Sequence, residues 1–194
     1  MLNKWALAIL LLISLTLFNT FLLISIFKLF PTLLIANNTY IFEHNQILDL
    51  VIYGQAKNNI SKNISIDELS HIKDVHNIVI LTLIIFILTT SIIATIIKKI
   101  NPKVLNDSLS TSIYLIIASI ILLLLFFNQL FVKFHQAIFP QGNWSFSENS
   151  VLIQLYPEGF WVTASTIILV LSIIELIFLK KHKRFTSSNK PLTI

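Results

Sequence analysis

Cysteine is absent from this chain of 194 residues. That one absence excludes disulfides, thiolate metal sites and a cysteine nucleophile, while saying little about redox compartment. Serine chemistry lacks its usual frame, because no GxSxG elbow occurs. A zinc hydrolase lacks its HExxH: His71 and His76 are spaced as HxxxxH, and no second metal motif accompanies them. Long polar sequence is missing as well, so no room is left for a separate large soluble domain.

What is present is apolar, at 55% of all residues. Four stretches reach the roughly 20 residues needed to cross a hydrocarbon core as helices. They cover about 5–30, 76–97, 111–132 and 161–179. The expectation is an all-α integral membrane protein, one membrane domain over 1–194, with four transmembrane helices. Outer segments 31–75 and 133–160 are expected to form a small extracytoplasmic cap. The first stretch outlasts the apolar region of a signal peptide, and FKLFPTLL at its far end offers no small-residue cleavage site. It reads as a retained helix that Pro31 breaks.

The sequence isoelectric point near 9.5 would suggest nucleic acid if the charge were spread evenly, but it is local. Lys4, Lys98, Lys99, Lys103, Lys180, Lys181, Lys183, Arg184 and Lys190 face only Asp107 on the side holding both termini and the middle loop. The other side sets Lys28, Lys57, Lys62, Lys73 and Lys133 against Glu43, Asp49, Asp67, Glu68, Asp74, Glu148 and Glu158. This is a positive-inside pattern, which puts both termini in the cytoplasm and both longer segments outside.

Residues 65–76, SIDELSHIKDVH, join a polar helix start to the second span without a break. Ser65 with Glu68 three residues on is a capping-box pattern. At helical spacing Asp67, Glu68 and Asp74 all flank His71. His76, five positions on, points roughly 140° away around the helix. The short link between the second and third spans predicts antiparallel neighbours, which would bring His71 and His76 near Asn128, Gln129, Lys133 and His135. Histidine serves as acid or base near neutral pH without a large shift. His71 and His135 are therefore the candidate catalytic residues, with Glu68 and Asp74 as candidate orienting groups. Asp74 has Lys73, Lys133 or water as ordinary partners. His44 is a weaker candidate, and His182 belongs to the basic tail.

Other features have plain expectations. Residues 33–55 suggest an interfacial amphipathic helix or a wall of the cap. The second outer segment, with Gly142, Pro140 and Pro157, should be shaped rather than helical throughout. Trp144 and Trp161 suit interface anchors, Lys28 and Lys133 snorkel, and Glu175 pairs with Lys180 or interfacial water.

DELSHIKDVHNI at 67–78 resembles the EL-x-H-M-x-D-V-K signature of the bacterial lipoprotein intramolecular transacylase family. FHQAIFPQGNWSFSENSVLIQLYPEGFW at 134–161 is similar to that family's second block. Ile72 stands for the usual methionine and His76 for the usual lysine, and Ile138 with Pro140 alter the aromatic run. The resemblance implies that the sn-2 acyl chain of an S-diacylglyceryl-cysteine lipoprotein passes to the α-amino nitrogen of the same cysteine, yielding the lyso form. His71 and His135 carry over onto the family's essential histidines. The chemistry of amine attack and ester collapse suits His71 as base and His135 as acid or oxyanion partner, with Glu68, Asp74 and Tyr156 as candidate orienting or oxyanion groups that the resemblance does not carry over in the same way. The implied partners are diacylglyceryl-modified lipoproteins and membrane lipids, with no cofactor, metal or nucleic acid. The implied place is the outer-leaflet face of a bacterial cytoplasmic membrane. A non-enzymatic four-span accessory protein and a metal-dependent membrane hydrolase are the competing readings; a transporter would place its ionisable groups nearer midspan.

Overall fold

The computed structural model describes residues 3–30, 38–56 and 59–188. Pro31, Lys57, Lys190 and the start of the 33–55 stretch lie outside them. Among the described residues every regular element is helical: α1 (Lys4–Leu29), α2 (Ile41–Tyr53), α3 (Ile66–Ile96), α4 (Pro102–Ile138), α5 (Val151–Leu155) and α6 (Glu158–Ser188). Four of them, α1, α3, α4 and α6, are long and apolar enough to cross a membrane. With 31 residues in α3 and 37 in α4, these helices run roughly 46 and 55 Å at 1.5 Å per residue. Each exceeds the roughly 30 Å of a hydrocarbon core, so each carries turns beyond it.

Sequence sets where the helices start. Asn3 accepts from the Ala6 N–H at 2.8 Å at the head of α1. At α3 the capping box is complete: Ser65 Oγ accepts from Glu68 N at 3.2 Å, and Glu68 Oε2 from Ser65 N at 2.8 Å. Asn101 caps α4 with Pro102 at the first helical position. Gly54 ends α2 at φ 73°, a left-handed conformation that suits glycine. A side chain there would also meet the His76 ring, whose Nε2 lies 2.9 Å from the Cβ position.

α1 is the centre of the bundle and packs against α3, α4 and α6. Lipid tails compete for apolar contact as well as any leucine does, so polar bonds and close small residues are what favour a particular helix pairing. Each face of α1 supplies such a bond. Ser112 on α4 donates to Ala8 O at 3.1 Å, Ser14 meets Thr90 of α3 at 2.9 Å, and Asn19 donates to Ser172 of α6 at 3.1 Å. Leu7, Leu11, Leu105, Leu109, Ile116 and Leu176 fill the space between α1, α4 and α6. The expected side-by-side pairing of α3 and α4 is replaced by this arrangement: they pack on α1 far more than on each other. A short link brings two ends together, but α1 holds the better polar partners for both.

Asn19 also donates to Glu175 Oε2 at 3.0 Å, while Lys180 donates to Ser110 Oγ at 2.7 Å. Glu175 is thus bound to the amide on α1, and not to Lys180 five residues along its own helix. Lys28 likewise does not simply reach toward an interface. It pairs with Asp49 at 2.7 Å and joins the end of α1 to α2.

The cap has its own core. Ile47, Leu50 and Val51 of α2, Ile64, Ile72 of α3, and Val151, Leu155 and Tyr156 around α5 are buried together. Residues 59–63 are tied to α2, since Gln46 binds Asn59 O at 2.7 Å and Ser61 N at 2.9 Å and Glu43 accepts from Ser61 and Asn63, both at 2.8 Å. Within α4, Phe126 leaves helical geometry at φ −132°, ψ 27°. Beyond that kink the helix is nearly all exposed, and only Phe127, Phe131 and His135, one per turn, are half-buried.

Candidate active site

The first turns of α3 carry two working faces. Glu68 and Ile72, four apart, are buried to 2% exposure against the cap core. His71 and Asp74, three apart, face the second outer loop. Glu68 does not touch His71. Besides closing the capping box, its Oε1 accepts from the Leu152 N–H at 2.9 Å, so one carboxylate serves the starts of both α3 and α5 and fastens the loop to α3.

α4 delivers His135 from the other side. The His71 and His135 rings lie 6.1 Å apart between centroids, inclined by 30°. Phe139 packs beside both, 4.7 Å from His71 and 5.6 Å from His135. Phe146 closes on His71 at 5.6 Å, and Phe131 and Trp144 on His135 at 4.0 and 5.2 Å. Trp144, expected at the membrane interface, is half-buried against a candidate catalytic ring. The pair occupies an aromatic-walled site.

The nitrogens of the two rings are used differently. His135 Nδ1 lies 2.8 Å from Phe131 O. A carbonyl accepts only, which places the proton on Nδ1 and leaves Nε2 as the uncommitted nitrogen. His71 Nδ1 is buried with no hydrogen-bond partner among the described residues.

Asp74 does not pair with Lys73 or Lys133. Its Oδ2 accepts from Gln141 Nε2 at 2.8 Å and from Asn143 Nδ2 at 2.7 Å, and Asn143 Nδ2 also reaches Ser70 Oγ at 3.3 Å. The loop between α4 and α5 turns at Gly142, φ 82°, with Gly142 N donating to Phe139 O at 3.1 Å. That turn brings both amides back over α3. Gln141 and Asn143 escaped notice in the sequence because amides in a loop are commonplace, and only the fold aims these two at one carboxylate.

Tyr156 is not at the histidine pair. Its hydroxyl lies 2.8 Å from His44 Nδ1, and His44 Nε2 lies 3.4 Å from Phe27 O. The carbonyl requires Nε2–H, so the tyrosine donates to Nδ1. Burial holds His44 below the usual imidazole value, Lys28 lowers it further and the Phe27 carbonyl opposes both. Burial alone pushes the Tyr156 phenol upward. His76 is also occupied, donating from Nδ1 to Val51 O at 2.9 Å. At the opposite end of the molecule His182 stacks near Phe178. Among the described residues no three His, Asp or Glu side chains converge as a metal site.

Two solved structures share this fold. The membrane integral lipoprotein intramolecular transacylase Lit from Bacillus cereus is 20% identical and superposes with a TM-score of 0.76 over 98% of this chain and 96% of the other. A second structure of that protein, with one histidine mutated to arginine, gives 18% identity and a TM-score of 0.70 over 98% and 95%. No curated sequence relative matches. The profile of the family described as lipoprotein intramolecular transacylase Lit covers residues 56–161, more than half the chain and the whole span from the cap to the start of α6. The chain is a multi-pass membrane protein that belongs to the lipoprotein intramolecular transacylase family, a family of acyltransferases.

Proposed function

We propose that this protein moves the sn-2 acyl chain of an S-diacylglyceryl-cysteine lipoprotein to the α-amino nitrogen of that cysteine, with His71 and His135 as acid/base catalysts. The observation that carries the reading is the convergence of two imidazoles from α3 and α4, 6.1 Å between centroids, each with a nitrogen that no other described residue uses. Amine and ester belong to one substrate molecule. The protein therefore gains most by folding that molecule into a reactive pose away from water.

In the proposed sequence the neutral amine attacks the sn-2 ester carbonyl, forming the C–N bond. His71 Nδ1 takes a proton from the nitrogen of the tetrahedral adduct, whose N–H is far more acidic than that of the free amine. The proton then passes from His71 to His135 Nε2, which is unprotonated while Nδ1 donates to Phe131 O. The C–O bond to glycerol breaks as Nε2 hands that proton to the departing oxygen, which returns both rings to their starting state. The products are an amide and a free sn-2 hydroxyl, with no proton gained or lost. No cofactor enters this sequence.

The domain reading is a single membrane unit over 1–194, with hydrocarbon-crossing segments near 5–30, 76–97, 111–132 and 161–179. Segments 31–75 and 133–160 lie outside. The charge asymmetry supports cytoplasmic termini and a site at the outer leaflet of a bacterial cytoplasmic membrane. The partners are diacylglyceryl lipoproteins among membrane lipids.

The test is mass spectrometry of a defined diacylglyceryl lipopeptide incubated with purified wild-type, His71→Ala and His135→Ala protein. The reading expects N-acyl lyso product from wild type and none from either variant. Full activity in both variants would remove the site assignment. No product from wild type would favour the accessory-protein reading, and free fatty acid would favour a hydrolase.

A further inference from the structure

Two polar atoms at the histidine pair are shut off from solvent without a hydrogen-bond partner among the described residues: Asn143 Oδ1 and His71 Nδ1. The asparagine amide is held in this orientation. Its Nδ2 donates to Asp74 Oδ2 at 2.7 Å and Ser70 Oγ at 3.3 Å. A carboxylate oxygen accepts from an NH2 group and repels a carbonyl oxygen, so Oδ1 points away from Asp74. Ser70, His71 and Asp74 occupy one turn of α3, which places Asn143 over the turn that carries His71. The residues that follow it bracket the pair, Trp144 against His135 at 5.2 Å and Phe146 against His71 at 5.6 Å.

With the His71 proton on Nε2, both unpartnered atoms are acceptors. The group that suits them carries two hydrogens on one atom. The ester carbonyls, the ester oxygens on glycerol and the thioether sulfur bring only lone pairs and would leave both atoms unsatisfied. Among the groups of the substrate, the primary amine fits.

We propose that Asn143 Oδ1 and His71 Nδ1 together seat the substrate's α-amino nitrogen, one N–H to each, leaving its lone pair to face the ester. This rests on the transacylase reading. It makes Asn143 a substrate-binding residue and a determinant of specificity. A terminus that is already N-acylated has a single N–H and no basic lone pair, so it satisfies one acceptor at most. The same site therefore discriminates against product and against triacylated lipoproteins. Asp74, fastened to the loop by Gln141 and Asn143, adds the negative charge that draws an ammonium in before it loses its proton.

The experiment uses the full chain in lipid nanodiscs and two ether-linked diacylglyceryl lipopeptides that cannot transfer, one with the α-amino group and one with hydrogen in its place. Wild type should bind the amino form about a hundredfold tighter, about tenfold for each of the two hydrogen bonds. Asn143→Ala should reduce this preference to about tenfold, the share of the His71 bond, while binding the des-amino form as wild type does. Asn143→Leu repeats the comparison at near-constant volume if the alanine variant fails to accumulate. Gln141→Ala loosens the loop without removing an amine contact and should keep the preference. The proposal is overturned if Asn143→Ala keeps the full preference, if it weakens both ligands alike, or if Gln141→Ala loses the preference equally. Failure of the underlying reading is separate: wild type would then give no N-acyl product from the ester-linked lipopeptide.

Discussion

The cap contains two histidine arrangements of opposite character. His44 has both nitrogens occupied, by Tyr156 and Phe27, and is 2% exposed. His71 and His135 face each other across 6.1 Å between centroids with one nitrogen of each uncommitted. The first arrangement is satisfied in the folded protein alone; the second is completed only by something else. A buried polar atom left without a partner is costly, and it is retained where a reactant supplies what is missing. On the proposed reading, the difference separates histidines that hold the cap together from histidines that meet a substrate.

The largest expected effect breaks the second arrangement. His71→Ala or His135→Ala should reduce acyl transfer by about a thousandfold or more, in line with loss of general acid or base catalysis, while membrane accumulation stays near wild type. Product formed per folded molecule, read by mass spectrometry, decides it. Loss of accumulation instead would make these two histidines resemble His44.

Next in size is the carboxylate that sets the loop over α3. Asp74→Ala removes the acceptor shared by Gln141 and Asn143 and should lower kcat by about a hundredfold, the typical consequence of misplacing reacting groups by an ångström. Asp74→Asn keeps an oxygen acceptor and should retain much more activity. Equal losses in the two variants would assign the effect to charge rather than to position.

The first arrangement is sharpened by Tyr156→Phe. The variant leaves His44 Nδ1 buried without a donor and should cost about 1–3 kcal/mol of stability. Thermal unfolding should show the loss, with transfer per folded molecule unchanged. A fall in kcat at unchanged stability would return Tyr156 to the reaction.

The smallest effects concern pH. The free amine is the attacking form, so transfer should rise with pH and level off near the α-amino value of about 8. Burial holds His44 below its ordinary value. Unfolding near pH 6 therefore takes up a proton, and stability falls as pH drops through about 6.5. His44→Gln should flatten that part of the stability profile; an unchanged slope would assign it to another group.

Local patterns made much of the fold legible in sequence. The four long helices fall where the four apolar runs do, α1 ending one residue short of its run, and the capping box at Ser65 and Glu68 forms with both of its bonds. His71 and His135 could be singled out because each sits beside the end of an apolar run in polar surroundings, a place where a titratable ring is unusual. The central position of α1 could not be read this way. It depends on which serine or asparagine finds a partner across the bilayer, and sequence separations of 76 to 153 residues join Ser14 to Thr90 and Asn19 to Ser172. The same limit hid the ion pair of Lys28 with Asp49, the bond of Glu175 to Asn19, and Asp74 as an anchor for loop amides. Charge and spacing nominate partners on the same helix, and the fold supplied closer ones elsewhere.

On the proposed reading, the kink at Phe126 ties the reaction to the surrounding lipid. From the kink to Val132, α4 leans on protein along the single edge of Phe127 and Phe131, so in a bilayer the remaining faces of that stretch are supported by acyl chains while the turn carrying His135 emerges above them. Hydrocarbon thickness then helps to fix the height of His135 relative to its partner on the better-anchored α3. Reconstitution in bilayers of graded chain length should give a turnover optimum at one thickness, and a flat response would show that the limb is rigid by itself.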